Sequence, residues 1–272
     1  MSVIRIAALF LCLFIPAFGH AEDAPKRIVS LAPAVTEILY SLGVQDRVAG
    51  VTTFCDYPPE AKEKPKVGGM SNPSLEAVVS LRPDIVVMTT DGNPREFQKR
   101  LQSLNIKTYV MRARRIHELA GEIRAMGARL GAGSRADGLA GEIEGSLIKF
   151  GRAKTGRSLR VLFVIWPEPL IVAGPGTAID DAIRLLGHKN IASPTGINYP
   201  KYSMEEAIRQ APDVIVIGRG HEDMKKLAEN LLKRLKGTPA VKNNKVFFVG
   251  DGLYRLTPRV IQGIEELSGA LR

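Results

Sequence analysis

One phrase occurs twice in this chain: SLEAVVSLRPDIVV (residues 74–87) and SMEEAIRQAPDVIV (residues 203–216) align without a gap. In each copy a serine stands where a helix N-cap belongs, one apolar residue follows, and a glutamate, Glu76 or Glu205, takes the second helical position. A Pro-Asp pair then stops the helix and opens a short apolar run of strand type. Glu206 completes an S-x-x-E capping pattern with Ser203, which gives it local work, whereas Ala77 holds the matching place in the first copy. Glu76 and Glu205 are left without a local task. A carboxylate at a helix amino end stabilises it by about 0.3–1 kcal/mol, and that alone accounts for either glutamate singly. At matching places in two like halves, one on each side of a cleft, the pair offers a two-point ionic contact to a basic partner.

Other groupings fall short of a catalytic or metal site. VAGPGTAI (residues 172–179) approaches G-x-G-x-x-G, but Ile179 replaces the third glycine, and Thr177 with Asp180 reads as a capping pair. HELAG opens like H-E-x-x-H with Gly121 at the second ligand position, and the sequence contains neither a G-x-S-x-G elbow nor a Walker loop. His117 and His188 fall by pattern on a helix and in a helix-ending turn, so the imidazole cluster that holds a bare ion is missing. His221, after the run DVIVIG, is the one weak metal candidate. No enzymatic activity is expected.

The first residues read as an export signal, 1–21: Arg5, an apolar run AALFLCLFIPAF, then small residues up to Ala21. The run is too short, and broken by Pro16, to span a bilayer. Leu11 before Cys12 does not fit a lipid-anchoring site. Cleavage leaves Cys55 alone, without a partner for an internal disulfide, as a small buried residue. The formal net charge is +10, but its cations are dispersed, and the densest group, RARR (residues 112–115), has no interleaved aromatics. That pattern reads as solvated basic surface and excludes nucleic acid as a partner.

The elements that must position the two glutamates follow from periodicity. Short β-branched runs, RIVSLAP, RVAGVTT, DIVVMTT and KTYVMRA, alternate with helical spacing in the first half. The order returns in the second half with RVLFVIW, PLIVAG, DVIVIG and KVFFVG. The expected class is α/β: two Rossmann-like lobes with mainly parallel central sheets. Between them about forty residues without strand signal fit two helices broken at GAGS, with Ser134 as N-cap of the second. The expected organisation is a first lobe over 22–132, one long connecting helix over 133–156 and a second lobe over 157–272. Such a connector limits lobe motion far more than a flexible linker.

The segments APAVTEILYSLG, CDYPPEAK, NPSLEAVVSLRPDIVV, AGPGTAIDDAIRLLGHKNI, YSMEEAIRQAPDVIVIG and YRLTPRVIQGIEEL together resemble the helical-backbone periplasmic binding proteins of cobalamin, haem and iron-siderophore ABC importers, the cobalamin binders most closely. The resemblance implies a soluble, monomeric periplasmic protein without cofactor. It would hold a cobalamin or related corrinoid between its lobes and pass it to a permease served by an ATPase; haem or a ferric siderophore is the alternative cargo. It also implies that Glu76 and Glu205 meet arginines of the permease. Cleft residues belong at the carboxyl ends of strands, which selects Pro33, Ala34, Phe54, Tyr57, Gly92, Asn93, Trp166, Tyr199, Gly220, Tyr254 and Arg255. Met70 and Tyr199 stand where the cobalamin binders carry tryptophans. The remaining class, a sensor without transport, would carry added signalling segments.

Overall fold

The computed structural model describes residues 24–153, 156–219 and 223–272. The expected export signal, Gly220 and His221 lie outside the described residues. The first half runs β1 (Ile28–Ser30), α1 (Pro33–Ser41), β2 (Val48–Gly50), α2 (Leu75–Ser80), β3 (Ile85–Thr89), α3 (Arg95–Ser103) and β4 (Lys107–Met111). Its sheet is parallel throughout, in the order β2-β1-β3-β4. β3 is buried at every position, as expected of a central strand covered on both faces.

Two helices follow, α4 (Leu119–Arg129) and α5 (Gly133–Arg152). The second half runs β5 (Arg160–Pro167), β6 (Leu170–Val172), α6 (Ala178–Leu185), β7 (Lys189–Asn190), α7 (Met204–Arg209), β8 (Val214–Gly218), α8 (Met224–Arg234), α9 (Pro239–Lys242), β9 (Val246–Val249) and α10 (Val260–Ala270). Its sheet has the path β6-β5-β8-β9. One edge of β5 is shared: β7 pairs with its start in parallel, and β6 turns back antiparallel along its end. β7 and α9 are too short to leave a periodic signal.

Ser134 is not the N-cap of α5. Ala132 holds that place and Ser134 lies inside the first turn. The Ala132 amide donates to the Gly127 carbonyl at 2.7 Å, so the end of α4 folds straight into α5 and starts it early.

The largest apolar cluster crosses from one half to the other. It joins Ile28, Val87 and Met111 of the first sheet to Ile123 on α4 and Ile143 on α5, and onward to Phe163, Ile179, Val249 and Ile264. α5 buries Ala136, Ala140 and Ile143. The connecting helix is therefore packed against both halves, and lobe displacement would expose core.

The duplicated phrase folds the same way twice. Ser74 Oγ accepts from the Ala77 amide at 3.2 Å, and Ser203 Oγ from the Glu206 amide at 3.0 Å. Arg82 (φ 47) and Ala211 (φ 45) turn the chain before each Pro-Asp. Asp84 accepts from the Lys26 and Arg27 amides at 2.7 and 2.8 Å, and the Arg27 guanidinium grips the Leu81 carbonyl at the end of α2. Asp213 likewise takes the Arg160 amide at 2.9 Å, and Arg160 reaches the Gln210 carbonyl at the end of α7. The Glu206 carboxylate does not close the expected capping box; it binds Arg209 at 2.6 Å and Gln210 at 2.7 Å.

Candidate ligand cleft and docking faces

The carboxyl ends of β1, β3 and β4 and the loop before α10 enclose a depression of about 180 Å³ lined by Pro33, Ala34, Met70, Thr89, Met111 and Arg255. A second depression of about 330 Å³ is lined by Arg114 from the first half and by Thr177, Asn198, Tyr199 and Leu253 from the second. Asp91, Ala113, Tyr254 and Leu256 line both, so the two form one cleft between the halves. The thioether of Met70 lies over Gly92, whose positive φ and missing side chain leave the room. Tyr254 packs edge-on to Phe163 with ring centroids 6.5 Å apart. Its hydroxyl rests against Gly218, where a Cβ would collide with it. That hydroxyl is buried without a hydrogen-bond partner among the described residues; burial, then Asp251 and Tyr199, pushes its pKa up to about 12. Tyr199 is 49% exposed, and what burial it has, with the Asp91 carboxylate, raises its phenol pKa.

Six of the expected ligand residues, Pro33, Ala34, Met70, Tyr199, Tyr254 and Arg255, are thus brought together. Others are not. Phe54 is 65% exposed and lines neither depression. Tyr57 faces a shallow outer hollow beside Glu37, Tyr40 and Glu60, with the Arg259 guanidinium 4.2 Å from its ring. Trp166 packs on the apolar cluster of the second half, donates its indole N–H to the Glu168 carbonyl at 2.7 Å and lines neither depression. The Asn93 side chain is fully engaged with backbone, accepting from Thr89 N and donating to Leu31 O and Met70 O, each at 2.8 Å. It shapes the cleft loop rather than its surface.

The strongest electrostatic feature is a clamp between halves. Glu37 on α1 is 2% exposed; its oxygens take Arg255 Nη1 at 3.1 Å and Arg259 Nε at 3.0 Å. Arg255 also reaches Asp56 at 2.9 Å, and Arg259 grips Asp251 with both terminal nitrogens at 3.1 Å. Burial opposes the charge of both arginines, but hydrogen bonds to these carboxylates outweigh it and raise both pKa values. Burial acts to raise the Asp56 pKa, yet its hydrogen bond from Arg255 prevails and the value falls below the usual carboxylate range. A second clamp joins Arg115 to Asp181, with Arg115 Nε 2.8 Å from the carboxylate and the Ile116 amide at 3.0 Å. The RARR run is therefore more than solvated surface, since Arg115 bridges the halves and Arg114 enters the cleft.

Glu76 and Glu205 lie in the first turns of α2 and α7, exposed, and neither has a side-chain partner among the described residues. Met70 and Tyr199, each four residues ahead of its N-cap serine, line the cleft. Each glutamate thus follows a segment that starts at the cleft. Among the described residues no group of three or more His, Cys, Asp or Glu is disposed to hold a metal ion. His188 Nδ1 accepts from the Leu159 amide at 3.2 Å, and burial lowers its pKa. Cys55 is buried, with Thr36 and Thr52 hydroxyls 3.1 and 3.0 Å from its sulfur.

Two α/β lobes, a packed connecting helix and a cleft between them define a solute-binding architecture. The sequence model of the periplasmic binding proteins matches residues 28–252, and the chain belongs to that family. It is 26% identical over 254 residues to the vitamin B12-binding protein of Pectobacterium carotovorum subsp. carotovorum, covering 92% of this chain and 90% of that one. Among solved structures it is similar to the periplasmic vitamin B12 binding protein BtuF of Vibrio cholerae, with a TM-score of 0.77, 26% identity and coverage of 91% and 97%. It is also similar to the periplasmic heme-binding protein RhuT from Roseiflexus sp. RS-1, with a TM-score of 0.79, 28% identity and coverage of 90% and 97%.

Proposed function

We propose that this protein is an extracytoplasmic carrier that captures cobalamin or a related corrinoid in the inter-lobe cleft and delivers it, as a monomer, to the permease of an ABC importer. The observation that carries the choice of cargo is the charge state of the cleft. Arg255 is matched by Glu37 and Asp56, and Arg114 faces the same space as Asp91. The remaining walls mix apolar and aromatic side chains with the neutral polar groups of Thr89, Thr177 and Asn198, and the buried phenol of Tyr254 lacks an acceptor among the described residues. A net-neutral macrocycle with amide groups on its rim suits such a slot, since a buried polar group wants a partner. The packed connector keeps the slot preformed, which lowers the ordering cost of binding.

Haem or a ferric chelate is the second reading. It is favoured by Arg114 and by the half-exposed phenol of Tyr199, which would serve an anionic side arm and a ferric centre.

Glu76 and Glu205 are the docking carboxylates of this reading, one per lobe, for cations on the permease. The lobes are residues 22–132 and 157–272, joined over 133–156, and the protein reaches the periplasm through a cleaved signal ending at Ala21. It acts by binding, without catalysis. Titration of the purified protein with cyanocobalamin, haemin and a ferric siderophore by calorimetry tests the cargo. Tight binding of cyanocobalamin is expected, and failure to bind it refutes the assignment. Charge reversal of both glutamates, E76K/E205K, should abolish uptake while sparing ligand affinity; normal uptake by that variant refutes the docking role.

A further inference from the structure

Among the described residues nine large apolar or aromatic side chains are markedly exposed, Val79 (40%) and Ile208 (46%) among them. Single exposed aliphatics are ordinary on protein surfaces. These two hold the same place in the duplicated phrase, five residues after Ser74 and Ser203. Each lies three residues after Glu76 or Glu205, so each sits one turn along the same helix face as its glutamate. Folding does not call for them there. The packing of α2 and α7 is carried by the neighbours Val78 and Ala207, which are the buried residues of these helices. Both helices are held at their far ends by the same device, Arg27 on the Leu81 carbonyl and Arg160 on the Gln210 carbonyl, so the two faces are presented alike.

We propose that the docking surface on each lobe is a mixed patch, a carboxylate with an aliphatic side chain one turn further on: Glu76 with Val79 and Glu205 with Ile208. The partner it fits is the extracytoplasmic face of a membrane permease that offers, twice, a cation beside an apolar recess. The inference rests on the docking role of the glutamates and adds to it: the ionic contact steers and registers the encounter, and the aliphatic contact prolongs it.

The test uses the full mature protein and the permease that imports its ligand, reconstituted with its ATPase in lipid nanodiscs, with empty nanodiscs as control. The variants are V79T/I208T, the exchange V79I/I208V, and E76K/E205K, each checked for unchanged melting temperature and cyanocobalamin affinity. V79T/I208T is expected to weaken docking roughly ten-fold or more, chiefly through faster dissociation, while V79I/I208V docks as the parent protein does. If E76K/E205K abolishes docking but V79T/I208T docks normally, the aliphatic contact is overturned and the ionic one stands. If neither variant weakens docking, both fall. Equal loss on empty nanodiscs, or loss of a self-associated form in sedimentation, would assign the patch to lipid or to a second copy and overturn the permease as its partner. Should V79T/I208T lower the melting temperature, V79A and I208A singly serve the same comparison.

Discussion

Replacing Glu37 by glutamine should destabilise the fold more than any other single charge removal at the cleft. The carboxylate is 2% exposed and bridges two arginines that come from the far end of the chain. Removing one partner of a buried ion pair costs about 3–5 kcal/mol, because a charge is left buried and unmatched. Each arginine keeps a second carboxylate here, Asp56 for Arg255 and Asp251 for Arg259, which places E37Q at the low end, about 3 kcal/mol. At about 2–4 °C per kcal/mol for a chain of this size, the melting temperature should fall by about 6–12 °C. Asp56 is the matched control. Its side chain is 58% exposed, so D56N should cost under about 1 kcal/mol. Calorimetric melts of both variants at pH 7, in low and moderate salt, separate the cases, and salt should affect D56N more than E37Q because exposed pairs are screened. A melt for E37Q within about 2 °C of the parent, or a loss no larger than that of D56N, would refute the clamp as an anchor between the lobes.

The cleft and its supports give further tests. In N93A three backbone groups lose their partner, so stability should fall by about 2–3 kcal/mol and cyanocobalamin affinity should fall with it, as the Met70 and Asp91 loops loosen; an unchanged melt would contradict the structural role. In G218A the new methyl displaces Tyr254, and cyanocobalamin affinity measured by calorimetry should drop about as far as in Y254A, whereas parent-like affinity would remove Tyr254 from the site. Burial lowers the His188 pKa. The unfolded chain therefore binds that proton near pH 6.5 and the folded one only at lower pH, so the stability tied to it is complete above about pH 6.5 and falls away as pH drops through the folded value. Melts between pH 7 and 5 should decline less steeply in H188Q than in the parent protein, and equal slopes would refute the assignment.

The duplicated phrase, the alternation of β-branched runs with helical spacing, and the strandless connector are local patterns, so the sequence determined the class of fold, the paired glutamates and the loops bordering the cleft. Side-chain direction at the ends of those loops is not local. Trp166 reads as a cleft residue at the end of a strand, but it packs on the apolar cluster of the second half, and Asn93 reads as a cleft-lining amide until its three backbone partners are seen. Arg114 and Arg115 look like surface charge because their partners and neighbours lie in the other lobe. Glu37 was invisible for the same reason: within APAVTEILYSLG it is a polar position on a helix, and its two arginines come 218 and 222 residues later. Only the packing of the halves across α4 and α5 brings such groups within 3 Å or so of each other. Ion pairs of that range in sequence have no periodic signature, because tertiary contact creates them.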